Sequence, residues 1–129
     1  MRIIKSLLAC FLMAALSFSA QAKQYQEPFQ DKALELLRHS VTMRTADGSG
    51  LVPELASYLA AELKLAGFDP QDIHLLPMGR TAALVVRYPG DGSAGRKPIL
   101  LSAHMDVVDA LPEDWQRDPF TLIEENGYY

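Results

Sequence analysis

His104 and Asp106 stand two residues apart at the end of an aliphatic run, in the stretch ILLSAHMDVVDA from Ile99 to Ala110. Side chains alternate across an extended chain, so a segment extended through Met105 projects the imidazole and the carboxylate from one face. That pairing suits metal binding. An imidazole binds zinc through one ring nitrogen and commonly gives its other N–H to a carboxylate or carbonyl, which fixes the tautomer and raises ligand basicity. His104 is therefore a candidate metal ligand and Asp106 its orienting partner. Open α/β sheets gather their sites at the carboxyl ends of strands, where this pair falls. The competing reading is plain structure, a histidine closing a strand and an aspartate opening a turn, and the bare spacing does not separate the two.

Other residues with ligand chemistry read differently. Asp109, Glu113, Asp114 and Asp118 look like a solvated acidic loop, while His39 in a helix and His74 in a strand read as surface or structural histidines. Trp115 and Phe120 read as loop anchors packed on the domain. A catalytic zinc takes three protein ligands plus water. One credible ligand is visible, so this chain by itself is expected not to hydrolyse a substrate efficiently.

The elements that must position the pair are legible by periodicity. FQDKALELLRHSV sets Ala33, Leu34, Leu37 and Val41 at helical spacing, with Asp31 near its start. After the turn-rich TADGSG, VPELASYLAAELKLAGF puts Val52, Leu55, Leu59 and Leu63 on one stripe, with Pro53 in the first turn and Gly67 as terminator. Three short aliphatic runs follow, DIHLLP, TAALVVRYP and KPILLSAH, separated by MGR and PGDGSAGRK, and they read as strands. The expected fold class is α/β, two helices and then three or more strands. Such a sheet keeps an open edge and uncovered apolar strands unless more chain packs on it.

Composition bounds the rest. A chain of 129 residues with 49% hydrophobic and 22% charged content has the profile of at most one globular domain. Arg2 and Lys5, the apolar run SLLACFLMAALSF and the small-x-small AQA ending at Ala22 read as a signal peptide over residues 1–22. A membrane anchor needs about 20 apolar residues, and Ser17, Ser19 and Gln21 break this run early. A lipid anchor on Cys10 has too little apolar sequence before it. Residues 23–129 form the expected domain, with a formal charge of −6 and no cysteine once Arg2, Lys5 and Cys10 are removed. Its stability must rest on a core or a metal rather than disulfides. No basic tract favours nucleic acid or an anionic membrane.

The stretch from Ile99 to Tyr129 resembles the first metal-binding segment of the co-catalytic zinc exopeptidases and deacylases, the family of glutamate carboxypeptidase, aminoacylase, carnosinase and acetylornithine deacetylase. The matching features come in family order: His104, Asp106 and Val108, then Pro112 and Trp115, then Asp118 to Phe120, then Gly127 with Tyr128. The preceding helices and the TAALVVRYPG run suit the family's amino-terminal portion. The resemblance implies part of an α/β/α catalytic domain and a two-zinc site in which His104 binds one ion and Asp106 orients it. It further implies a small peptide or N-acyl amino acid as substrate, amide hydrolysis as the reaction, and allows a homodimer for full-length members. The bridging carboxylate, general-base glutamate and remaining ligands belong to a later part of the family pattern, so residues 23–129 are expected to hold at most one partial site. With the signal peptide, the expectation is the amino-terminal fragment of a periplasmic or secreted hydrolase. The alternative is a non-catalytic product acting at most as a weak binding module.

Overall fold

The structure is a computed structural model that describes residues 28–93 and 95–129. The expected signal peptide and the first residues of the following arm lie outside the described residues. Among the described residues, no helix is long and apolar enough to cross a membrane.

Two helices precede a two-stranded antiparallel sheet, an arrangement compatible with part of an α/β fold. Helix α1 spans Gln30–Thr42 and α2 spans Val52–Leu65. Strands β1, Ile73–Met78, and β2, Thr81–Val86, pair from Ile73 opposite Val86 to Met78 opposite Thr81. Gly79 takes φ +66° at the first central position of the two-residue turn, the backbone that lets such a tight loop follow the strands' own twist.

Helix α2 is the keystone of the packing. Val52, Leu55, Ala56 and Ala60 are buried, and the helix lies against both strands, β2 in particular. The buried face includes two alanines that the expected leucine stripe did not contain. Small side chains there let the helix backbone approach the sheet closely, while Leu59 and Leu63 are half-buried on its flank. The helix ends as the sequence signals it should. Gly67 adopts φ +91°, its N–H donates to the Lys64 carbonyl, and the Phe68 N–H donates to the Leu63 carbonyl. These two bonds form a Schellman motif, which satisfies carbonyls the helix leaves open.

Helix α1 forms where expected but its apolar face is only half covered. Leu34 and Val41 are half-buried, while Ala33 and Leu37 are exposed. Its links to α2 are partly polar and aromatic. Lys32 pairs with Glu62 at 2.7 Å, and the His39 ring stacks on Tyr58 with centroids 3.8 Å apart.

The open end of the hairpin is tied by a contact the sequence reading missed. Asp72, buried just before β1, takes the Arg87 backbone N–H on its carbonyl at 2.9 Å and the Arg87 Nε–H on its carboxylate at 2.7 Å. The carboxylate is almost inaccessible while the guanidinium reaches solvent.

The third expected strand does not form. Lys97–His104 joins no ladder among the described residues, and Ile99, Leu100 and Leu101 are 87%, 88% and 90% exposed. The run lies across a groove from β2, lined by Thr81–Val86 on one side and Leu100–Asp106 on the other. Propensity makes a segment able to extend, whereas ladder bonds and cross-strand pairs make it a strand, and this run has neither.

Candidate metal-binding site

His104 and Asp106 sit where the aliphatic run meets α1 and α2, on chain that is irregular yet firmly held. Three consecutive residues after α1 do the holding. The Thr45 hydroxyl donates to the Met105 carbonyl at 2.8 Å, between the two candidate residues. Ala46 forms a parallel bridge with Val107. The Arg44 guanidinium grips both carboxylate oxygens of Asp109 and lies over the Phe120 ring, 5.6 Å from its centroid. Thr45 and Ala46 are buried at 2% and 4% exposure, so the strap is part of the small core although the loop it holds faces solvent.

The pair has a defined geometry. His104 Nδ1 lies 2.7 Å from the Asp106 carbonyl oxygen and 3.4 Å from its carboxylate oxygen Oδ1. A carbonyl oxygen only accepts, so the short contact puts a proton on Nδ1, and in the neutral ring the lone pair is then on Nε2. Spacing alone makes Asp106 the orienting partner without choosing between its carboxylate and a carbonyl. The main-chain oxygen of the same residue makes the shorter contact, with the carboxylate beside it, and either acceptor fixes the tautomer. Both side chains are open to solvent, His104 at 83% and Asp106 at 69%.

Besides the groove along β2, which both residues line, two further hollows flank the pair. One of about 430 Å³ has an apolar lining in which Leu55, Leu59, Val108, Trp115 and Phe120 meet the edge of His104. The other, about 280 Å³, brings Asp106 together with Thr45, Asp47, Met78 and Arg80. Phe120 is half-buried, as an anchor should be, whereas Trp115 is 58% exposed at the rim.

The remaining acidic and histidine residues have other work. Arg44's hydrogen bonds hold the Asp109 carboxyl below its ordinary range. Asp118 accepts the Phe120 N–H at 3.0 Å and the Thr121 hydroxyl at 2.6 Å, which turns the DPF segment and lowers its own carboxyl in the same way. Glu113 and Asp114 sit in a 3-10 turn, Pro112–Asp114. His39 is engaged with Tyr58, and His74 is exposed on β1 opposite Val85. Past Asp118, Asn126 and Gly127 take φ +55° and +81° in a two-residue turn that closes Glu125 onto Tyr128. Among the described residues, no three His, Cys, Asp or Glu side chains come together as a metal cage. The described donors that come together are one histidine and one aspartate, short of the three protein ligands a catalytic zinc takes.

No family model matches the chain, and no solved structure matches it. A stretch of 39 residues, 30% of the chain, is 49% identical to part of an acetylornithine deacetylase from Arabidopsis thaliana. The matched stretch spans 9% of that relative's length. The likeness is short, and it supports a hydrolase-like segment related to the zinc peptidases and deacylases at most.

Proposed function

We propose that this chain carries the first metal-binding limb of an exported zinc-dependent hydrolase acting on amide bonds of small peptides or N-acyl amino acids. The observation that carries the reading is the orientation of His104. Its Nδ1–H is committed to Asp106, so Nε2 keeps a lone pair that faces accessible space. Zinc bound there, with ligands from elsewhere, supplies Lewis-acid polarisation of an amide carbonyl and activation of water. The chain's own residues then have separate duties. His104 donates through Nε2, Asp106 holds the ring in one tautomer, and the carboxylate of Asp106 adds negative charge beside the imidazole. The apolar hollow beside His104 offers a surface for an uncharged part of a substrate.

The signal peptide read at residues 1–22 assigns the protein to the periplasm or exterior, where scavenging of peptides is a better fit than biosynthetic deacylation. With one imidazole and no three-residue cage among the described residues, the chain by itself is assigned weak zinc binding and no efficient turnover. The test is an assay of the purified chain with zinc on dipeptides and N-acyl amino acids. Absence of turnover is expected, and metal-dependent turnover abolished by His104→Ala would contradict it.

A further inference from the structure

We propose that the strap Arg44–Ala46 is the positioning element of the His104–Asp106 pair, with Thr45 and Arg44 as its two side-chain grips. The inference rests on the reading of that pair as a metal-ligand histidine and its orienting group. The pair has no regular structure of its own to fix it. Neither residue belongs to a helix or a ladder, and both side chains are mostly in solvent. The contact between Nδ1 and the Asp106 carbonyl closes across two peptide units and survives only if those units keep their orientation.

The strap acts on those units directly. Thr45 is bonded to the Met105 carbonyl, the peptide oxygen between the two residues, and that bond limits rotation of the plane joining Met105 to Asp106. The bridge from Ala46 to Val107 fixes the next residue along. The two-pronged contact of Arg44 with Asp109 holds the far end of the loop, and Phe120 beneath the guanidinium limits its swing. Thr45 is buried, so its side chain has little room to change rotamer and its hydroxyl little access to solvent. Arg44 is exposed, and its contribution is correspondingly smaller. Both are positioning residues, since neither touches the ligand atom.

The test reads the His104 tautomer directly, by two-bond nitrogen–proton NMR spectra of the metal-free chain at about pH 8.5, where a histidine side chain is neutral. The wild-type chain is expected to show His104 as the Nδ1–H form. Thr45→Val, which keeps the shape and removes the donor, is expected to lose that single form and show a mixture of both tautomers. Thr45→Ser is expected to restore it, and Arg44→Gln to lose it in part. His39 and His74 serve as internal references that a general loosening of the fold would move and a local effect would not. Retention of the Nδ1–H form in folded Thr45→Val overturns the proposal. If Thr45→Val does not fold, Arg44→Gln decides, and an unchanged His104 spectrum there overturns it. Zinc titration of the wild-type chain separates the two ideas. If His104 keeps the expected tautomer behaviour but does not respond to zinc, the metal reading fails and the strap stands.

Discussion

TAALVV at Thr81–Val86 and ILLSA at Ile99–Ala103 are aliphatic runs of similar length and propensity with opposite fates. The first has a partner six residues long, delivered by a two-residue turn, and α2 against it, so Ala82 is buried to 7% exposure. Among the described residues the second joins no ladder, and its three large side chains stay in water. Fully burying a Leu or Ile side chain is worth about 1.5–3 kcal/mol, which the second run forgoes three times over. What differs is whether a covered edge reaches the segment. His104 lies at the end of the uncovered run, which is why its orientation depends on the strap rather than on a sheet.

The same substitution made in both regions should have opposite consequences. Ala56, fully buried on α2, is expected not to tolerate a carboxylate, and Ala56→Glu should destabilise by several kcal/mol, enough to unfold the chain. Ala103→Glu on the exposed run should stay within about 0.5 kcal/mol of wild type. Urea denaturation followed by far-UV circular dichroism measures both, and a similar loss at the two sites would contradict the packing described.

Removing the tie at the hairpin mouth is the next largest effect. Arg87→Gln leaves the buried Asp72 carboxylate without its charged partner and is expected to cost about 1–2 kcal/mol in the same experiment. The exposed run has an opposite signature. Ile99→Ser with Leu101→Ser should leave the denaturation midpoint nearly unchanged while sharply reducing fluorescence of an added apolar dye, since those side chains supply surface rather than core.

The smallest effect is acidic. Arg44 depresses the Asp109 carboxyl, so the pair's contribution is present above the ordinary carboxylate value and fades as pH falls through the lowered folded value. In wild type the denaturation midpoint should therefore carry a slight acid-side slope that Arg44→Gln reduces, and added salt should flatten the Arg44 part of it, because both side chains are exposed. An identical slope in the two proteins would remove Arg44 as its cause.

The helices and the first two strands were legible because their signals are local: Pro53 and Gly67 bracket α2, and MGR separates the two aliphatic runs, although their pairing as a hairpin is not stated by either run alone. The run after Pro98 carried an equally good local signal and still failed as a strand, because pairing depends on a neighbour that composition does not reveal. Asp72 was overlooked as a polar residue beside a strand. Aligning DIHLLP with TAALVVR across the MGR turn would have set it close to Arg87, a detectable clue. Thr45 had no such clue, since its partner lies 60 positions away. At the site, spacing placed His104 and Asp106 together, but which atom of Asp106 meets the ring follows from the local backbone path.

His104, with Nδ1 occupied by Asp106, is proposed to present Nε2 outward as a zinc ligand. Titrating zinc into the nitrogen-15-labelled chain and following the imidazole signals tests it most directly. A shift or broadening of the His104 Nε2 resonance is expected at modest affinity, with Nδ1 still protonated and no comparable change at His39 or His74. A response centred on Nδ1, or on the other two histidines with His104 silent, would contradict it.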